Sequence, residues 1–440
     1  MSELKIAFTD REITPWGGIA MMARMLEKLR FDEMLDGLAL PSPGSNRGYC
    51  PKQLIKQYMT SIWCGANRFE HCEITRHDNV MRQIWGFKQM AGHKAIQRLF
   101  KRHTRSDNDA ISKQMYRWFF DGQKFDNYTL DIDSTVITRY GAQQGATVGY
   151  NHTKRGRASH HPLMAFVAEN RMVANFWLRP GNAYTSNNLE SFLADTIEKL
   201  NGRRIGLLRA DSGFFDRKIL QMLEGHPLCS NYIIAAKFYK PIQRALAGQQ
   251  DWLPLDKGIG IAETMFRCPS WDKPRRLIMV RQFIKQRPRA TGKNLSLFND
   301  DLFFNDYRYT CLVTNSTLPP AIVWRMYRDR AESENRIKEL KYDFGVDSFN
   351  MQNFEATQAA LDWAMMAYNL ISLFRHVVIN SKVHERMKTL RYQIFAIGGY
   401  HVKQGSNRIL KLSLAMKRRQ WFLGLWGLSK NFTVPVVFDS

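Results

Sequence analysis

Residues 128–137 read YTLDIDSTVI, and the interpretation of the rest of the chain starts from this stretch. Apolar and polar residues alternate along it and β-branched residues are frequent, so it predicts a β-strand. Asp131 and Asp133 fall on the same face of that strand, because side chains alternate with a period of two. The stretch therefore predicts a strand that carries two carboxylates.

The pattern that follows this strand indicates an α/β fold. Three strands come first and helices then alternate with strands, which is typical of a meander followed by parallel crossovers. The later predicted elements are strands 164–168 and 172–178, helix 185–200, strand 205–210, helix 216–223 and strand 232–238. Residues 241–315 interrupt this alternation with three strand-like runs and predict a β-rich insertion; the runs are 259–266, 277–283 and 307–314.

The two ends of the chain differ from this centre. Residues 1–120 read as a helical DNA-binding domain, in which the predicted helix 93–102 has a basic face that includes Lys94 and Arg98. This helix is interpreted either as a DNA recognition helix or as a solvated surface helix. Residues 351–440 predict a basic, largely helical tail, and the catalytic core is assigned to 121–240 and 316–350.

Charge and composition favour a DNA partner. The 440 residues include 64 Lys and Arg against 40 Asp and Glu, a formal net charge of +24, which repels itself unless a polyanion is bound. Six scattered cysteines without CxxC pairs suit a reducing cytoplasm. The opening residues do not resemble a signal peptide, and the most apolar helical stretch, 359–379, carries charged residues. We therefore expect a cytoplasmic protein without a membrane span.

Three carboxylates are the candidate catalytic and metal-binding residues. Asp133 lies in the first strand, Asp211 directly follows strand 205–210, and Glu334 lies on a long predicted helix over 321–344. Hard oxygen ligands of this kind suit two Mg²⁺ or Mn²⁺ ions, which promote in-line displacement at phosphodiesters. On that helix the side chains of three further residues share a face with Glu334 and are candidate DNA contacts; they are Tyr327, Arg330 and Lys341.

These motifs resemble a known family. The spacing Y-x₂-R-x₃-E-x₆-K from Tyr327 to Lys341, the triplet Asp133-Ser134-Thr135 and the segment 209–214 (RADSGF) are similar to motifs of the DDE group 1 transposases of bacterial insertion sequences. Residues 177–180 (WLRP) also resemble a segment found between the two aspartate motifs. The similarity covers about residues 125–345 in motif order and strand pattern.

The resemblance implies a ribonuclease-H-like catalytic core with a β insertion between Asp211 and Glu334. It further implies a DNA endonuclease and strand-transfer enzyme that binds the terminal inverted repeats of its element and inserts them into target DNA. Two DNA ends must be handled together, so a homodimer on DNA is expected. Two alternatives stay open: a nuclease of the same core without strand transfer, and a non-catalytic DNA-binding regulator.

Other residues keep more than one interpretation. The D-S-T triplet favours Asp133 as the catalytic aspartate, with Asp131 as the alternative. Lys154, Arg155 and Arg157 lie in a basic loop next to the expected metal site and either bind the DNA backbone or are merely solvated. Trp252 or Trp271 in the insertion could stack a flipped base, as in related enzymes, although ordinary packing is the commoner role.

Overall fold

The computed structural model of the chain describes residues 4–44, 48–151, 154–284, 306–381 and 383–438. The helices that it describes up to residue 121 agree with the predicted helical character of this region, and their apolar faces form a buried core. The helices are α1 (Ala20–Lys28), α2 (Phe31–Gly37), α3 (Pro51–Trp63), α4 (Glu73–Arg76), α5 (Asn79–Ile84), α6 (His93–Phe100) and α7 (Arg105–Asp121).

Strands and helices alternate through the centre of the chain. They are β1 (Gln123–Lys124), β2 (Tyr128–Ser134), β3 (Ile137–Thr138), β4 (Thr147–Val148), β5 (Ala158–His160), β6 (Leu163–Val167), β7 (Met172–Trp177), α8 (Leu189–Lys199), β8 (Ile205–Ala210), α9 (Arg217–Gly225), β9 (Cys229–Ala235), α10 (Lys240–Ala247), β10 (Leu253–Asp256), β11 (Ile259–Phe266), β12 (Arg275–Phe283) and β13 (Tyr307–Thr314).

Helices dominate the remaining third. They and the last strands are α11 (Pro320–Arg328), α12 (Ala331–Asp343), α13 (Phe354–Phe374), α14 (Met387–Leu390), β14 (Gly399–Gln404), β15 (Asn407–Leu412), α15 (Met416–Asn431) and β16 (Val436–Val437). Two short π-helical turns, Arg375–Ile379 and Arg391–Phe395, follow α13 and α14.

A large mixed sheet organises the molecule and defines a mixed α/β fold. Its nine strands have the order β10-β11-β12-β13-β9-β8-β2-β6-β7. β2, β8 and β9 run parallel to each other, whereas β6 and β7 continue from β2 as an antiparallel meander. Most residues of the parallel strands are buried, as expected for strands covered on both faces.

Helix α13 is the most buried helix and covers the β7 edge of this sheet. The side-chain amide of Asn369 accepts a hydrogen bond from the Val173 amide (2.7 Å) and donates one to the Val173 carbonyl (2.8 Å). The helix thus satisfies backbone groups that an edge strand would otherwise leave unpaired. Its polar residues are used within the protein, and no helix in the described part of the chain is long and apolar enough to cross a membrane.

The insertion forms strands at the expected places but continues the central sheet. β13 pairs antiparallel with β9, and β12, β11 and β10 follow it outward. The predicted strands 259–266 and 307–314 match β11 and β13. Residues 285–305 of the predicted insertion lie outside the described residues.

The C-terminal tail is less helical than expected, because β14 and β15 form an antiparallel hairpin around the tight turn at Gly405, where φ is +60°. The tail packs on the N-terminal region. Thr14 and Gly399 exchange backbone hydrogen bonds of 2.8 and 2.9 Å, and the Arg24 guanidinium lies 4.1 Å from the Trp426 ring. The domain boundaries at residues 120 and 350 stay predictions. The N-terminal region and the C-terminal tail, which these boundaries separate from the centre of the chain, are in contact with each other.

Candidate active site

Asp133 and Asp211 meet at the carboxyl ends of two neighbouring parallel strands. Ile132 of β2 is in register with Ala210 of β8, so the next residue of each strand is an aspartate. The Asp211 carboxylate accepts a hydrogen bond from the Gly213 amide (2.9 Å), which holds it at the start of a short 3₁₀ turn. Parallel strand ends are a common place for binding sites in α/β sheets.

The Asp133 carboxylate is buried and in contact with a cation. Its Oδ2 lies 3.0 Å from the Arg330 guanidinium and accepts a hydrogen bond from the Ser333 hydroxyl (3.3 Å), while Oδ1 accepts one from the Ser134 amide (2.8 Å). Burial raises the pKa of Asp133 to about 6 despite the opposing charge of Arg330, and the charges of Asp211 and Glu334 make smaller contributions that also raise it. The three carboxylates are therefore close enough to repel one another.

The predicted long helix is divided into α11 and α12 by a tight turn at Asp329-Arg330. Tyr327, before the turn, is partly buried, and burial raises the pKa of its hydroxyl to about 12, with smaller contributions from all three candidate carboxylates. On α12 the Glu334 side chain is exposed. The Lys341 ammonium donates a hydrogen bond to the Val136 carbonyl (3.0 Å), just beyond β2. The Y-R-E-K residues thus lie along the end of β2.

Asp131, the alternative aspartate, is engaged elsewhere. It is fully buried, and both of its oxygens bind the Arg209 guanidinium at 2.6 and 2.9 Å. Arg336 of α12 lies 3.8 Å from the same carboxylate. Arg209 also donates a hydrogen bond to the Met326 carbonyl, which connects β8 to α11. This geometry favours Asp133 over Asp131 as the reactive carboxylate.

Arg179, in the WLRP segment, supports the site through contacts that the sequence did not reveal. It is buried and donates hydrogen bonds to the carbonyls of His161 (3.0 Å), Tyr184 (3.2 Å) and Asn187 (3.0 Å). Burial lowers its pKa to about 10, so the guanidinium remains charged at neutral pH. The quoted WLRP motif pointed to this residue, but the carbonyl partners are distant in sequence and could not be assigned from it.

His161 connects the same loop to the first aspartate motif. Its Nδ1 lies 2.9 Å from the Ala183 carbonyl, which fixes the proton there and leaves Nε2 to accept from the Ser134 hydroxyl at 3.2 Å. Burial lowers the pKa of His161, which keeps the ring neutral. The residue acts here as a structural link rather than a proton carrier.

The remaining predicted DNA contacts are surface residues. Lys94 and Arg98 are exposed on α6, and Lys154, Arg155 and Arg157 are exposed in the loop between β4 and β5. Trp271 is buried against Phe215 and Phe266, with ring centroids 5.9 and 5.8 Å away, which leaves no face for a base. Trp252 is partly buried, and its ring lies 4.7 Å from the Arg281 guanidinium.

The donor set suits a hard divalent cation, although the side chains are not gathered around one. Within the described ranges, no three His, Cys, Asp or Glu side chains are close enough together to hold a metal ion. Instead, the Arg330 guanidinium provides the positive charge at Asp133. Carboxylate oxygens from two strand ends and a helix, with the pKa of Asp133 raised mainly by burial, would be neutralised by Mg²⁺ or Mn²⁺.

Comparison with known proteins identifies the class. The family described as "Transposase DDE domain group 1" matches residues 1–427, so the chain belongs to this family. The family that the sequence motifs resemble is thereby confirmed. A solved structure of a piggyBac transposase synaptic complex with hairpin DNA is similar at 11% identity, a TM-score of 0.47, and coverage of 87% of this chain and 81% of that one. No curated protein sequence matches the chain.

Proposed function

We propose that this chain is a DNA transposase that cuts the ends of its own insertion sequence and joins them to target DNA. The observation that carries the proposal is the meeting of Asp133 and Asp211 at two parallel strand ends, with α12 bringing Glu334 near enough to affect the pKa of Asp133. The strands β7-β6-β2-β8-β9 would form the ribonuclease-H-like core, and β10 to β13 its insertion.

Asp133, Asp211 and Glu334 would hold the divalent ions, Mg²⁺ or Mn²⁺, two per site. When bound, such ions activate a water or a 3′-hydroxyl and stabilise the leaving oxygen of a phosphodiester. Arg330 would then leave Asp133 and become available to a DNA phosphate. Lys341, fixed by the Val136 carbonyl, would contribute its positive charge from the other side of Glu334, and Tyr327 would position this part of the chain.

Exposed basic residues of α6 and of the loop between β4 and β5 would bind double-stranded DNA. Lys94 and Arg98 would contact the terminal repeats through α6, and Lys154, Arg155 and Arg157 the backbone near the cut. Two copies would act together, since both ends of the element must be cut and joined. The reaction would take place at the bacterial nucleoid.

The test is metal-dependent cleavage and joining of a labelled duplex that carries the ends of the element. With Mg²⁺, wild type should cut and join, whereas Glu334→Gln should bind the duplex and do neither. Glu332→Gln is the matched control, because Glu332 is equally exposed on the same helix two residues away. It should keep full activity.

The other outcomes select the alternatives. Cleavage without joining by wild type would favour a nuclease, and DNA binding without cleavage would favour a regulator. Activity that survives in Glu334→Gln would remove Glu334 from the catalytic set.

A further inference from the structure

Two segments beside the candidate active site contain no acidic residue. Residues 134–168 and 178–189 lack Asp and Glu, in a chain that has 40 of them, yet include Lys154, Arg155 and Arg157. Three large aromatic side chains are exposed on the same segments: Tyr140 (68%), Tyr150 (72%) and Tyr184 (76%). The Lys154 ammonium and the Arg157 guanidinium lie 4.8 and 5.9 Å from the Tyr140 ring. The two segments thus combine aromatic and basic side chains and contain no acidic side chain.

The described parts of the two segments pack against each other. β3, β5 and β4 make a small antiparallel sheet, and the loop 180–188 lies directly on its backbone. A Cβ at Gly149 would be 2.0 Å from the Gly181 carbonyl oxygen, so only glycine permits this approach. The Asn182 amide also donates a hydrogen bond to the Thr147 hydroxyl (3.0 Å). The tyrosines are therefore displayed by a connected scaffold.

This surface is continuous with the carboxylate site through the two residues that flank Tyr184. The Ala183 carbonyl accepts from His161, and the Thr185 hydroxyl lies 3.4 Å from that of Ser134. A Cβ at Gly213, two residues after Asp211, would be 2.8 Å from Thr185 Cγ2. Tyr184 is consequently held next to both aspartate motifs, while its own ring stays exposed.

We propose that Tyr140, Tyr150 and Tyr184, with Lys154, Arg155 and Arg157, form a stacking platform for unpaired DNA at the cut. Exposed tyrosine faces bind bases by stacking, which requires bases whose own faces are open, and the cations neutralise the strand's phosphates. In an intact duplex the base faces are covered by neighbouring pairs, so this arrangement favours a single strand. The platform rests on the proposed function, because cleavage is what would produce unpaired nucleotides here.

The proposal is tested by anisotropy of a labelled 20-nucleotide oligothymidylate and of a 20-base-pair duplex, with full-length protein and no divalent metal. Tyr184→Ala should weaken oligothymidylate binding at least about fivefold, the lower end expected for one lost stack, and duplex binding less than twofold. Tyr184→Phe, which keeps the ring face, should bind as wild type does. Tyr392→Ala is the matched control, since Tyr392 is 69% exposed and its contacts lie outside this surface.

The basic residues give an independent arm. Changing Lys154, Arg155 and Arg157 to Gln should weaken binding of both probes and flatten its dependence on salt. Equal loss of both probes in Tyr184→Ala, or no loss of either, would overturn the platform. Failure of the platform proposal can be distinguished from failure of the transposase proposal. The platform is tested by DNA binding without metal, whereas the transposase activity is tested by metal-dependent cutting that requires Glu334.

Discussion

Asp131 and Asp133 stand two residues apart on β2, and their surroundings differ in kind. Asp131 is fully buried with both oxygens bound to one guanidinium and a second arginine close by. Asp133 is paired with one guanidinium, that of Arg330, and has two carboxylate neighbours, and its pKa is raised to about 6 by burial and those neighbours. The same strand therefore carries one carboxylate that is fully compensated and one that is not.

This difference separates a structural role from a chemical one. A buried ion pair with good geometry holds elements together, and here Arg209 connects β2, β8 and α11. A carboxylate that is crowded by like charges favours binding of further positive charge. The predictions below change one environment at a time.

The largest expected effect is on catalysis by Asp133→Asn. Cleavage and joining should fall by at least about a thousandfold. Asparagine lacks the negative charge with which Asp133 would bind a metal ion, and that ion would neutralise the charge that develops on the phosphate in the transition state. The free energy of unfolding should change little, since removal of a repelled, desolvated charge offsets the loss of the counter-ion of the buried Arg330. Single-turnover cleavage and urea unfolding measure the two effects. A variant that unfolds but retains specific activity would reverse the assigned roles.

The next largest effect is on stability, in Asp131→Asn. The change leaves Arg209 and Arg336 buried without their counter-ion, so the free energy of unfolding should fall by about 3–5 kcal/mol. Urea unfolding checks this, with the exposed Asp251→Asn as control, for which no change is expected. If Asp131→Asn were as stable as wild type, the distinction between the two aspartates would be lost.

A third buried carboxylate, Asp362 on α13, extends the comparison to a site without a bound arginine. Its oxygen accepts a hydrogen bond from Gln358 (2.9 Å), and burial raises its pKa to about 7. The folded pKa exceeds the ordinary value of 3.8, so the charged form weakens the fold above pH 7 and this cost disappears as the pH falls toward 4.

Asp362→Asn keeps an oxygen that can accept from Gln358 but removes the charge. The variant should be more stable than wild type by about 1–3 kcal/mol at pH 8, and the difference should shrink at pH 5. Thermal unfolding at the two pH values measures it. A constant difference across this range would show that Asp362 does not titrate there.

The sequence predicted the strands that position the site better than it predicted their surroundings. Strand 205–210 was predicted with its observed bounds, because a buried parallel strand gives a continuous apolar run. Strand 128–137 was predicted with its observed start from its alternation and its β-branched residues. The three carboxylates could be selected from their positions relative to these elements. Alternation alone could not choose between Asp131 and Asp133, since that choice depends on Arg209, a residue 78 positions away from Asp131.

Contacts between distant segments account for most of what was missed. The pairing of β13 with β9 depends on register between strands that are far apart in the chain. The β14–β15 hairpin and the short strands β4 and β5 lack long apolar periods, so their residues read as tail or loop. Arg179 supports the site by donating hydrogen bonds to backbone carbonyls. Every residue has such a carbonyl, so no sequence pattern identifies the partners.

The smallest expected effect concerns Arg330, whose guanidinium is in contact with Asp133. Since the Arg330 guanidinium lies 3.0 Å from Oδ2, it would compete with a divalent ion for the charge of this carboxylate. Arg330→Gln should therefore bind Mn²⁺ about tenfold more tightly in the absence of DNA, which corresponds to about 1.4 kcal/mol, the scale of one hydrogen bond to a charged group. Calorimetric titration measures this, with Arg325→Gln as control because Arg325 is exposed on α11. Unchanged or weaker Mn²⁺ binding would mean that Arg330 does not compete for the charge of Asp133, and its contact there would then be structural, like that of Arg209 with Asp131.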